Sequence, residues 1–134
     1  MPYIYMLRCR DGSLYTGIAM DLERRMGEHF QQKKAGAKYT KSHRPASLEM
    51  VWETESWSGA AKLEYRIKRL RRSGKEALIR FPEQVNESAS LRQEESLYTP
   101  RPELSSAIYK MDREKKEEAG LIGGEGSGES SSPL

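Results

Sequence analysis

Asp11-Gly12 limits what this chain can become more than any other feature. It separates two alternating runs, Tyr3 to Arg10 and Leu14 to Ile18. Asp-Gly between alternating hydrophobics is the strongest short-range hairpin signal, because the tight turn needs backbone angles that these residues tolerate. Two antiparallel strands are therefore expected. In the first, Tyr3, Tyr5, Leu7 and Cys9 fall on one face, and Ile4, Met6, Arg8 and Arg10 on the other. In the second, Leu14, Thr16 and Ile18 oppose Tyr15 and Gly17. The hairpin brings Tyr5 and Tyr15 close together. Asp21 then reads as the N-cap of a helix, and Leu22, Met26 and Phe30 recur at four-residue spacing as its buried stripe.

Residues 31–47 are polar, contain Gly36 and Pro45, and predict a long basic loop. Leu48 to Trp52 alternates as a third strand. Ser58 is the expected cap of a second helix whose stripe is Leu63, Ile67 and Leu70. Ser73-Gly74 should break it, and a short helix from Lys75 to Phe81 should stop at Pro82. The expected fold is α+β: a three-stranded antiparallel or mixed sheet flanked by helices, in the order β-β-α-β-α-α. Two regions follow from composition. Residues 1–84 form the folded module. Residues 85–134 end in LIGGEGSGESSSPL and read as an acidic, disordered tail that cannot bury enough apolar surface to offset chain entropy.

Charge follows the same division. Residues 1–84 carry a net +7 and residues 85–134 a net −4, giving +3 for the chain. A basic module suits a polyanion such as nucleic acid; a solvated basic surface is the plainer alternative. The single cysteine, Cys9, excludes an internal disulfide and reads as a buried thiol. No stretch approaches the ~20 apolar residues of a membrane span, so no membrane partner and a cytoplasmic location are the expectation.

Several side chains could carry chemistry. Arg25 lies four residues before His29, so the two share a helix face. A planar guanidinium held at the sheet edge suits a phosphate whose charge grows in a transition state; a surface ion pair is the alternative, and Arg24 is rotated about 100° away. Glu64 is the only acid in AAKLEYRIKRLRR, at the border of the apolar stripe. A carboxylate there needs a cation, either a divalent metal or the side chain of Arg25 or Lys68. Tyr5 and Tyr15 serve either as packing or as hydrogen-bonding groups; a free tyrosine with a pKa of about 10 is barely ionised at neutral pH. Lys33, Lys34, Lys38, Lys41 and Arg44, with Tyr39 among them, form one basic cluster. Lys68, Arg69, Arg71, Arg72 and Lys75 form another. Two such clusters can track a phosphate backbone, and neither encodes a recognisable base readout. His43 has no evident partner.

Taken in order, Tyr3-Ile4-Tyr5, Tyr15-Thr16-Gly17, the helix with Arg25 and His29, and the later helix with Glu64 resemble the GIY-YIG nuclease superfamily, most closely its small stand-alone bacterial proteins. The resemblance covers about residues 1–82. The tripeptides read YIY and YTG here, keeping Tyr5, Tyr15 and Gly17. It implies a metal-dependent endonuclease acting on DNA, in preference to RNA, with low sequence specificity; a binding module that kept the fold without turnover is the alternative. It further implies that Glu64 holds Mg²⁺ or Mn²⁺ and that Arg25 stabilises the scissile phosphate. Tyr5, assisted by Tyr15 or His29, would then activate water. Several members have an Asn about twelve residues after the metal Glu, where this chain has Glu76.

Overall fold

The structure, a computed structural model, describes residues 1–31 and 38–105. The hairpin forms as its turn predicts. β1 (Tyr3–Cys9) pairs antiparallel with β2 (Leu14–Ala19), placing Tyr5 opposite Gly17 and Leu7 opposite Tyr15. Gly12 takes a φ of +87°, the left-handed region that an L side chain rarely enters. Asp11 closes the turn by accepting from the backbone N–H and hydroxyl of Ser13 at 3.0 and 2.7 Å.

Behind the turn, β1 pairs on its other side with β3 (Pro45–Glu53), which pairs in turn with β4 (Thr99–Pro100). The order is β2-β1-β3-β4, and every pairing is antiparallel. The sheet thus has four strands where the sequence predicts three. The two residues of β4 are too few to show any alternation, so the strand has no sequence signature.

Both faces of the sheet are covered. On one, Ile4, Met6, Met50 and Trp52 pack with Ala60, Leu63 and Ile67 of α3 (Trp57–Lys68) and with Leu78 of α4 (Arg72–Arg80). On the other, Tyr5, Leu7 and Val51 pack with Leu22 and Met26 of α1 (Leu22–Phe30). The split along β1 follows the expected alternation. Along β3 it does not, because the register against β1 slips between Met6 and Leu7. Leu48 therefore joins the α1 side while Met50 and Trp52 join the α3 side. A bulge of this kind inserts a residue and re-aims every side chain beyond it.

Helix boundaries depart from expectation in physically simple ways. Asp21 caps α1 as expected, its carboxylate accepting from Arg24 N–H at 3.1 Å. The cap of α3 is Ser56 and not Ser58, with Ser56 accepting from Gly59 N–H at 2.9 Å. The helix breaks over Arg69 to Arg71, so Ser73 and Gly74 lie inside the first turn of α4, where a weak helix former costs little. The supposed loop of residues 31–47 contains α2 (Lys38–Ser42) and the start of β3.

Order also extends beyond residue 84. α5 (Gln84–Glu87) follows Pro82, and Val85, Leu91 and Tyr98 are buried in the α3-side core. Tyr98 donates its hydroxyl to Gly59 C=O at 2.7 Å, and Asn86 brackets the Tyr98 backbone at 2.7 and 3.0 Å. The expectation of a disordered chain from residue 85 onward therefore fails for residues 85–105, whose three anchors are spaced too irregularly to form a periodic pattern. The rest of that segment lies outside the described residues.

Candidate active site

The two motif tyrosines meet at the β2 edge of the sheet. Tyr5 and Tyr15 have ring centres 6.3 Å apart. Gly17 makes this possible: a Cβ there would stand 2.5 Å from Tyr5 Oη and 3.0 Å from the Tyr15 ring. The glycine thus clears space for the site, beyond a merely architectural part in the strand.

α1 lies over the same face and delivers His29 and Arg25. His29 is fully buried, and its Nε2 lies 2.7 Å from Tyr5 Oη. Its Nδ1 lies 2.9 Å from the hydroxyl of Thr40, a buried residue of α2. The Arg25 guanidinium donates to Tyr5 Oη and, at 2.6 Å, to Glu28 Oε1. A guanidinium only donates, which leaves the Tyr5 proton available to His29 Nε2. In the matching tautomer His29 carries its own proton on Nδ1 and donates it to Thr40; in the other, Nε2–H donates to Tyr5 and Thr40 donates to Nδ1.

Burial governs the protonation states. It pushes Tyr5 well above the ordinary phenol range, helped by neighbouring Tyr15 and opposed by Arg25. Burial, and then the Arg25 charge, lower His29 to about 4. At neutral pH the pair is a neutral phenol beside a neutral imidazole. The Arg25 hydrogen bond, followed by that of Arg24, holds the Glu28 carboxyl below its usual value.

The carboxylate arrives from the opposite layer. α3 runs beside β2, and Glu64 interacts electrostatically with Tyr5. Its Oε2 is 3.2 Å from Lys68 Nζ, which also stands over the Tyr15 ring at 5.8 Å. Among the described residues, no group of three or more His, Cys, Asp or Glu side chains could together hold a metal. One partly exposed carboxylate fits an ion held mostly by water and phosphate oxygens, as magnesium often is.

Tyr5, Tyr15, Arg25, His29 and Glu64 therefore converge at one place. Arg25 is three-quarters covered, whereas Arg24 is 75% exposed and pairs with Glu28. Lys38, Lys41, Arg44, Lys68, Arg69, Arg71 and Arg72 all lie exposed. Arg72 is also tied to the hairpin turn, donating to Gly12 C=O at 2.5 Å. Lys33 and Lys34 lie outside the described residues. Glu76 accepts two 2.7 Å hydrogen bonds from Arg8, so the residue that departs from the family Asn is engaged in a structural ion pair. Sequence reasoning missed Thr40 and Glu28. The spacing of Glu28 from Arg24 and Arg25 was a usable signal; Thr40 lay in an apparent loop with none.

The profile of the GIY-YIG catalytic domain matches residues 1–77. The chain is 48% identical over 81 residues to the UPF0213 protein FN1575 of Fusobacterium nucleatum, covering 60% of this chain and 79% of that protein. It is 44% identical over 79 residues to the UPF0213 protein VNG_2274C of Halobacterium salinarum, covering 59% of this chain and the whole of that one. The solution structure of the UPF0213 protein BH0048 from Bacillus halodurans is similar at 41% identity and a TM-score of 0.41, covering 60% of this chain and 85% of that one.

Proposed function

The chain belongs to the GIY-YIG catalytic domain family, among its small UPF0213 members, and from that premise we propose that it is a metal-dependent endonuclease cleaving phosphodiester bonds, in DNA before RNA, with little sequence preference. The observation that carries this reading is the convergence of Arg25, the Tyr5–His29–Thr40 hydrogen-bond chain, Tyr15 and Glu64 at one sheet edge.

In the proposed reaction, Arg25 donates to a non-bridging oxygen of the scissile phosphate and stabilises its growing charge. Burial keeps Tyr5 from ionising alone, so a relay suits it better than a phenolate base. An attacking water passes a proton to Tyr5 Oη while the Tyr5 proton moves to His29 Nε2; the water oxygen bonds to phosphorus as the opposite P–O bond breaks, and the leaving oxygen takes a proton from solvent. The resulting imidazolium is stabilised by the nearby phosphate charge. Thr40 keeps Nε2 as the acceptor by accepting a hydrogen bond from Nδ1–H. Tyr15, less buried, offers its hydroxyl to the phosphate. Glu64 would hold Mg²⁺ or Mn²⁺ in place of its contact with Lys68, and the ion would supply Lewis-acid stabilisation of the phosphate.

A binding module without turnover is the second reading. It is favoured by Glu76, whose carboxylate is committed to Arg8. The two separate on a panel of end-labelled duplex, flapped, branched and single-stranded DNA and RNA, with Mg²⁺, Mn²⁺ or EDTA. Metal-dependent cutting of any member supports the nuclease. Saturable binding to the panel with no cutting in either metal supports the module.

A further inference from the structure

A row of aromatic rings leads from the candidate active site to the surface. Tyr15 stacks on Tyr39 of α2, with centroids 5.5 Å apart and planes 26° apart. Tyr39 stacks on His43, at 4.1 Å and 15°. The inner end of the row is Tyr15, 5.4 Å from His29 and under the Lys68 ammonium. The outer end is His43, whose side chain is 37% exposed. Nothing in the proposed chemistry uses these outer two rings.

Packing alone does not account for how firmly His43 is held. Its Nδ1 lies 2.7 Å from Asp11 Oδ2, and Asp11 is itself fixed by two bonds from Ser13. The ring is thus set by its edge from the hairpin turn and by its face from α2. A planar ring fixed at a surface presents stacking area at little further entropic cost. Its surroundings are basic. Arg44 accepts from Arg10 N–H through its backbone C=O at 2.8 Å, and Arg72 reaches the same turn through Gly12. Exposed Lys38 and Lys41 lie on α2 itself. Two acids beside these groups are both engaged: Asp11 by Ser13 and His43, and Glu76 by Arg8 and Arg72.

We propose that Tyr39 and His43 form a stacking subsite for one unpaired nucleobase, adjacent to the scissile phosphate, with Arg10, Lys38, Lys41 and Arg44 following the backbone. Aromatic faces accept any base, and a base must leave its duplex to stack on a protein ring. This rests on the nucleic-acid reading above and narrows it: the substrate carries an unpaired nucleotide beside the cut, as flaps, bulges, loops and single strands do. The subsite selects structure and not sequence.

The test uses the full chain in EDTA, so that no cleavage enters the readout. Single-stranded oligonucleotides carry 2-aminopurine at successive positions, and a blunt duplex of the same length is the reference. Stacking quenches the 2-aminopurine at one position. His43→Ala abolishes that quench and weakens single-strand binding about 5- to 100-fold, the range for one lost base stack. His43→Ala leaves duplex binding within twofold, and His43→Phe restores both quench and affinity. Tight, salt-sensitive binding with no quench at any position overturns the subsite while leaving the basic surface intact. Equal loss on single strand and duplex overturns it too. A protein that binds but never cuts defeats the nuclease proposal alone; one that binds no nucleic acid defeats both.

Discussion

Burial decides what His29 can do. A neutral imidazole with no exposed surface resists protonation, so its folded-state pKa of about 4 lies below the unfolded value of about 6.5. The unfolded chain then binds more protons between those values, and stability falls as pH drops through that window. Between pH 7 and pH 5 the loss should be about 2 kcal/mol, before most carboxylates begin to protonate. Thermal melts over that range should show a falling Tm in the wild type and a flatter profile in His29→Asn. Parallel profiles would mean that His29 is solvated. Arg25 and Arg24 pose a second contrast at the same scale. Both pair with Glu28, but only Arg25 reaches Tyr5. Arg25→Ala should remove turnover by a factor of about 100 or more, the size of a lost transition-state donor. Arg24→Ala should cost only a modest, salt-sensitive loss of binding; the reverse ranking would place the wrong arginine at the phosphate. The placement of Tyr5, Tyr15, Arg25, His29 and Glu64 was legible in the sequence because a hairpin and two helices fix their order and face. That of Thr40 was not, since its role depends on where α2 docks.

Elements with a strong period were legible, and those held by scattered anchors were not. The hairpin, α1 and the α3 stripe of Leu63 and Ile67 were evident from alternation and four-residue spacing. That Leu48 faces α1 while Met50 and Trp52 face α3 was not legible in the alternation, because a bulge breaks the period of two there. β4 and α5 escaped notice because two to four residues carry no period at all. Yet the chain beside them binds the core firmly: Trp52 Nε1–H donates to Pro82 C=O at 2.9 Å, and Thr54 donates to Leu97 C=O at 2.9 Å. Tyr98→Ala should therefore destabilise the fold by about 3–5 kcal/mol, as for other large aromatic truncations in cores. Deleting residues 85–134 should lower the Tm at least as far. A melt unchanged by either alteration would show that this segment does not support the core.

At the scale of the whole molecule, charge and chemistry point to one partner. The basic residues of α2, α3 and α4 lie exposed; of these, Lys68 stands over Tyr15 and Arg72 reaches the hairpin turn. Each phosphate they neutralise should add roughly 0.7–0.9 to the slope of log K against log salt. Titrations at several salt concentrations should give a steep slope and nearly equal affinity for unrelated sequences. A flat response would leave the basic surface merely solvated. The central claim is narrower: a phosphodiester is cut here, and the cut needs the Glu64 carboxylate. Single-turnover cleavage of the best substrate by wild type and Glu64→Gln, with binding measured in parallel, tests it most directly. The wild type should cut in a metal-dependent way and Glu64→Gln should not cut above background, with affinities and melting temperatures that match. Equal cleavage rates for the two proteins would contradict it.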